Sequence, residues 1–147
     1  MANVELGKAR VQSNFEVLID SDAFVGLFLP DDAHFQSVSK QFDHFEREQT
    51  KLATTNWVVA ETATVLSRRD TQETAKRFLK MIETSGIPIL FISREVEKDA
   101  LRIFKDQSTK NTSVIDCSNI AVLNHYRISR LFSFDKFYKK LSVKMLN

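Results

Sequence analysis

FEVLIDSDAFVGLF, residues 15–28, is the stretch on which the reading of the fold turns. Its β-rich run EVLI closes on Asp20, Asp22 follows, and the chain turns apolar again at Ala23. A short run this apolar reads as a strand buried on both faces, as in a parallel sheet. Carboxylates are costly to desolvate without a partner, so two of them between core-like segments need a reason to be there.

Outward from that strand, helical and extended patterns alternate. PDDAHFQSVSKQFDHFEREQ sets Phe35, Val38, Phe42 and Phe45 at helical spacing, with Asp31 or Asp32 as cap. KLAT reads as a brief strand and TNWVVAETATVLSRR as a helix. DTQETAKRFLKMIETSG predicts another helix, opened by a capping box of Asp70 and Glu73 and stopped by Gly86. IPILFI is the next strand, and SREVEKDALRIFKDQ a helix with Val96, Ala100, Ile103 and Phe104 inward. SVIDCSNIAVLNHYR is a helix capped by Ser113, RLFSFD a short strand ending on an acid, and LSVKML an edge strand. Strands alternating with helices imply an α/β domain with a mainly parallel sheet.

Composition narrows the function classes. The 147 residues fit one domain. A domain that long buries roughly two-thirds of its unfolded surface and needs no disulfide or structural metal to fold. The single Cys117 excludes an internal disulfide and a multi-cysteine zinc site, and suits an intracellular, cytoplasmic setting. No apolar run approaches the roughly 20 residues of a membrane span, and MANVELGKARVQSNF has no apolar core for a signal peptide. A net charge of +2 is too small to require a polyanion partner. Twelve Phe against two Tyr and one Trp make the aromatics mainly core. His34, His44 and His125 have no partners at useful spacing, and Cys117 reads as a small packing residue.

Ligands of open parallel sheets bind outside the carboxyl ends of the strands. Asp20 and Asp135 each close a strand and so reach the same rim; Asp116 sits in a helix first turn near it. Glu61 shares a helix face with Trp57, Val58 and Val65, where an acid needs a cation or a hydrogen-bond partner. Each Asp also has a plain alternative: Asp20 or Asp22 as helix cap, Asp116 in a capping box with Ser113, Asp135 in an Asx turn. Mid-helix Glu61 has no such alternative. Four converging carboxylates repel, at roughly 4 kcal/mol per pair some 4 Å apart in an effective dielectric near 20. A divalent cation or bound protons would relieve this, and all-oxygen ligation suits Mg²⁺ or Mn²⁺ better than zinc. Mg²⁺ commonly completes its shell with phosphate oxygens, so chemistry on phosphate esters follows.

VLIDSDAF, NWVVAETATVL, TSVIDCSNIAVL and LFSFDKFY resemble, in order and spacing, the motifs of the PIN domain, and most closely its compact VapC-type toxin ribonucleases. The resemblance spans about residues 15 to 146. It implies a PIN-like, Rossmann-like three-layer fold over residues 15–147, with residues 1–14 an N-terminal extension of unknown role. It also implies Mg²⁺- or Mn²⁺-dependent hydrolysis of RNA, by a toxin with a protein antitoxin and a homodimeric habit. Its four acids fall on Asp20, Glu61, Asp116 and Asp135, as metal-holding and catalytic groups, with Ser21, Ser113 and Ser133 as supporting hydroxyls. Ser133 and Asp135 begin its last signature, whose aromatic falls near Phe137 or Tyr138. Asp22 stands where Ser, Asn or Thr is commoner. Arg68, Arg69, Lys136, Lys139 and Lys140 are candidates for the RNA backbone, or ordinary surface charge.

Two rival readings share the same residues. A haloacid-dehalogenase-type phosphatase also places D-x-D after its first strand and would use Asp20 as nucleophile; it gives Glu61 no task. A PIN-like module that binds RNA or protein without cutting is the other. A receiver domain fits less well, since only Lys136 could supply its lysine.

Overall fold

The computed structural model describes residues 14–141 and 143–146. The extension expected over residues 1–14 lies outside them apart from Asn14. Five strands form one sheet: β1 Val17–Ile19, β2 Leu52–Thr55, β3 Ile89–Leu90, β4 Arg130–Phe132 and β5 Met145–Leu146. Their order is β3-β2-β1-β4-β5 and every pairing is parallel. Parallel neighbours need long crossovers, which the helices supply. α1 Ser21–Phe28 and α2 Phe35–Arg47 join β1 to β2; α3 Asn56–Arg69 and α4 Gln72–Ser85 join β2 to β3. α5 Arg94–Lys105 and α6 Val114–Tyr126 join β3 to β4, and α7 Lys136–Lys140 joins β4 to β5.

Strand alternation divides the core into two layers. Val17, Ile19 and Phe132 pack with Phe24, Val38, Phe45, Val58, Leu66 and Phe78 from α1 to α4. Leu18, Ala53 and Leu131 pack with Val96, Ala100, Cys117, Val122 and Tyr138 from α5 to α7. The three-layer α/β architecture is the expected one. All three β1 residues are fully buried because helices cover both faces, which stabilises the fold by about 1.5–3 kcal/mol per large side chain.

Several local expectations need correction. Neither Asp31 nor Asp32 caps α2, which starts at Phe35 with His34 at its N-cap and no side-chain cap bond. Asp32 is held in a turn, where its backbone carbonyl accepts from the Phe35 N–H and its carboxylate accepts from the His34 N–H. The cap of α4 is Thr71, whose Oγ1 accepts from the Thr74 N–H at 3.1 Å. Asp70 still belongs to the end of α3, its N–H donating to the Leu66 carbonyl, and Glu73 pairs with Lys76 instead. Gly86 does end α4, at φ 74°, a left-handed conformation that glycine adopts without strain.

IPILFI yields only two ladder residues, and Phe91 is 71% exposed; the strand lies at the sheet edge, and Pro88 has no N–H to donate. On α5 the buried seam follows Val96 and Ala100 with Ile103 packed beside them. Phe104, about 100° further round the helix, is left 38% exposed. The apolar residues Val38, Phe45, Ala75, Phe78 and Ile82 of α2 and α4 lie in the core, leaving Leu79 as the exposed large apolar residue of those two helices. No helix among the described residues is long and apolar enough to cross a membrane.

The topology fixes where a site can form. From β1 the chain steps outward to β2 and β3, then returns across β1 to build β4 and β5 on the other side. The strand order therefore reverses between β1 and β4. In sheets of this kind the helices diverge at that point and leave a crevice at the carboxyl ends of the two strands.

Candidate active site

Asp20 leaves β1 into that crevice and is also the N-cap of α1. It is 3% exposed, and both oxygens are doubly bonded. Oδ1 accepts from the Ser21 N–H at 2.7 Å and from Asn119 Nδ2 at 3.0 Å. Oδ2 accepts from Ser133 Oγ at 3.0 Å and from the Tyr138 hydroxyl at 2.9 Å. The plain and the functional roles of Asp20 therefore coexist: the same carboxylate that caps α1 is the buried centre of the polar cluster.

Asp116, in the first turn of α6, reaches the same place. Its Oδ1 lies 3.1 Å from the Tyr138 hydroxyl, so one phenol stands between Asp20 and Asp116. Asn119, one helical turn beyond Asp116, donates to that phenol at 2.9 Å. Asp22 enters from the other side. Its Oδ2 accepts from the Phe134 N–H at 2.8 Å and lies 3.1 Å from Ser133 Oγ, which tethers the loop after β4 to the start of α1.

Glu61 on α3 and Asp135 after β4 complete the group electrostatically: each raises the proton affinity of Asp116, and Asp135 that of Glu61. Asp135 is exposed and caps α7, its Oδ1 accepting from the Phe137 N–H. Of the predicted hydroxyls, Ser133 bonds Asp20 directly, while Ser21 faces Glu61. Ser113 serves the cap of α6, accepting from the Ile115 and Asp116 N–H groups, and meets Asp116 through its backbone.

The electrostatics of this cluster are under strain. Burial, then the charge of Asp20, pushes Asp22 up to about 7, against the bonds from Phe134, Ser133 and Ala23. Burial, then Asp20 and Asp135, pushes Asp116 up to about 7, with Tyr138 pulling it down. Asp20 is raised by burial, opposed by its four donors, and Glu61 is raised by burial, then eased by Ser21. Burial and the two flanking aspartates hold the Tyr138 phenol firmly protonated, so it acts as a donor. Asp22 Oδ1, Glu61 Oε2 and Asn119 Oδ1 are buried without a hydrogen-bond partner. Unmatched acceptors among mutually repelling carboxylates fit a bound cation or bound protons.

Among the described residues no three His, Cys, Asp or Glu side chains are already drawn together closely enough to enclose an ion. Mg²⁺ is commonly held by one or two carboxylates with waters and substrate phosphate completing the shell, so an ion here would not require such an enclosure. Asp20 and Asp116, joined through the Tyr138 hydroxyl, are the acids that would hold such an ion, with Glu61 and Asp135 within electrostatic reach.

Sequence reasoning offered Tyr138 only as a candidate for the signature's aromatic and Asp22 only as a helix cap, and it missed Asn119. Their signals were spacing: Asn119 lies three residues after Asp116, and Tyr138 three after Asp135. The basic candidates divide. Arg68 and Arg69 end α3, Arg69 pairing with Asp32 at 3.1 Å; Lys136, Lys139 and Lys140 are exposed on α7. Cys117 packs in the core, as expected. His34, expected to be inert, stacks flat on Phe134 with ring centroids 3.9 Å apart and 11° between planes.

A family model described as PIN domain matches residues 17–144. No curated protein matches the chain significantly. Among solved structures the fold is similar to VapC20 of Mycobacterium tuberculosis, a sarcin–ricin loop cleaving toxin. That likeness has a TM-score of 0.78 at 17% identity and covers 87% of this chain and 96% of the other. It is similar also to VapBC2 from Rickettsia felis, solved bound to a DNA fragment from its promoter, with a TM-score of 0.64 at 15% identity over 90% of this chain and 98% of that one. At such identities the likeness speaks for the fold.

Proposed function

This chain belongs to the PIN domain family, and from that membership we propose that it is a divalent-metal-dependent endoribonuclease, the toxin of a VapC-type toxin–antitoxin pair. The observation that carries the reading is the Tyr138 hydroxyl shared by Asp20 and Asp116 at the reversal of strand order, with Glu61 and Asp135 in electrostatic reach. Asp20 and Asp116 would hold Mg²⁺ or Mn²⁺, and Glu61 and Asp135 would complete or orient the shell. When bound, such an ion neutralises phosphoryl charge and makes a nearby water a better nucleophile.

The protein's own groups do the rest. Ser133, Tyr138, Asn119 and the Ser21 N–H fix Asp20 in one orientation. Asp22, bound to Ser133 and Phe134, anchors the loop that carries Asp135. Glu61 has a free oxygen, Oε2, and a raised proton affinity, which fit it to accept a proton from the attacking water. Arg68, Arg69, Lys136, Lys139 and Lys140 would contact the RNA backbone and make binding salt-dependent. The VapBC2 relative motivates an antitoxin partner; a homodimer remains part of the proposal.

The dehalogenase alternative loses ground on family, since the matching model is the PIN domain. That alternative would also leave Glu61, its proton affinity raised by burial beside Asp20 and Asp135, without a task. The experiment is direct: purified protein should cleave single-stranded RNA with Mg²⁺ or Mn²⁺ and stop in EDTA. Equal cleavage in EDTA would overturn the metal-dependent mechanism, and RNA that binds but stays intact across divalent cations would favour the non-cutting module.

A further inference from the structure

A cleft of about 420 Å³ is lined by Asp22, Asp32 and Asp135 together with Val25, Val65, His34, Phe134 and Arg69. We infer that it receives one unpaired nucleobase of the RNA, beside the phosphate at the acids, and that His34 is a positioning residue for it; this rests on the ribonuclease reading above.

The cleft's lining combines aliphatic walls, an aromatic pair, one guanidinium and the carboxylates of Asp22, Asp32 and Asp135. The volume lies in the range of small-ligand sites, roughly 300–1,000 Å³, which fits a single splayed-out nucleotide. Unpaired RNA bases are recognised by stacking on flat side chains, His and Arg among them.

The flat groups are held in advance. Phe134 is tied through its N–H to Asp22 at 2.8 Å and leans on Phe132, with ring centroids 5.7 Å apart. The imidazole of His34 lies parallel to the Phe134 ring, and its backbone N–H donates to Asp32 at 2.9 Å. The other oxygen of Asp32 holds Arg69 Nη2 at 3.1 Å, so one aspartate fixes both His34 and Arg69. His34 is exposed and its side chain makes no cap bond for α2. Its ring is therefore not needed to start that helix, and a ring held flat against a second ring at a cleft wall is prepared for stacking.

The test uses the full chain carrying Asp116→Asn, so that strands survive in Mg²⁺, and short single-stranded RNAs, either intact or with one abasic position walked along the strand. Binding is read by fluorescence anisotropy. His34→Ala should weaken the intact strand on the order of ten-fold, and His34→Phe, which keeps a flat ring, should restore most of it. One abasic position should weaken the parent similarly, and the two losses should not add. Unchanged affinity in His34→Ala, or a loss that persists undiminished at every abasic position, would overturn the inference. Those outcomes are distinct from failure of the ribonuclease reading, which shows as uncut RNA with the wild-type protein.

Discussion

Asp116→Asn is expected to slow RNA hydrolysis by roughly a hundred- to a thousand-fold or more, the scale of losing one well-placed electrostatic group at a transition state, while the protein stays folded. Asparagine keeps the size of the side chain and an oxygen that can still accept from the Tyr138 hydroxyl, so the packing of α6 is preserved. What disappears is the negative charge that would hold the cation. Asp20→Asn should be as inactive but less stable. All four hydrogen bonds to Asp20 are directed at acceptor oxygens, and an amide nitrogen would face donors on one side. Cleavage rates in Mg²⁺ together with thermal melts separate the two effects. An Asp116→Asn protein that cuts at the wild-type rate would remove that residue from the site.

The second large effect concerns the protein without metal. Asp22 and Asp116 are both raised to about 7 by burial and by neighbouring carboxylates. A carboxyl whose folded value lies above its unfolded one binds its proton longer in the native state. Between the unfolded value near 4 and the folded value near 7, the native chain carries more protons than the unfolded chain, so stability falls as pH rises through that window. Their penalty is absent below about pH 4 and complete above about pH 7. Asp116→Asn removes one such group and should therefore stabilise the metal-free protein at about pH 8, on the order of 1–2 kcal/mol or several degrees in Tm. Its advantage over wild type should shrink towards pH 4. Mg²⁺ added at the higher pH should stabilise wild type more than the variant, because a ligand that binds only the native state raises its stability. Tyr138→Phe, which deletes the single hydroxyl proton lying between the two aspartates, should move the other way and lower Tm at pH 8. An Asp116→Asn protein that is no more stable than wild type at high pH without metal would contradict this electrostatic account.

Much of the architecture could be read before any coordinates because its signals are local. EVLI is short and β-rich, as a strand covered on both faces has to be, and KLAT and RLF are short runs between helical patterns. Ser113 and Gly86 punctuate helices by their own chemistry. Local signals misled where two of them overlapped: Asp70 precedes a helix but still closes the one before it, and Asp32 follows a proline into a turn. IPILFI is apolar enough for a central strand yet lies at the edge, because sheet order is a long-range property.

The site divides in the same way. Glu61 could be nominated because a charge on an apolar helix face is out of place, and Asp20, Asp116 and Asp135 because the strand and helix ends that carry them converge on one rim of the sheet. That Tyr138 stands between Asp20 and Asp116, that Ser133 bonds Asp20 across 113 residues, and that His34 lies on Phe134 depend on how distant loops meet. Side-chain pairs brought together only by tertiary packing leave little trace in a single sequence.

The central claim is that Asp20 and Asp116 together grip a hard divalent cation. Anomalous diffraction from a crystal soaked in Mn²⁺ tests it most directly. The account predicts a manganese peak in contact with both carboxylates, missing from the Asp116→Asn protein under the same soak. A peak at some other surface, or none between those two residues when the ion is saturating, would contradict it.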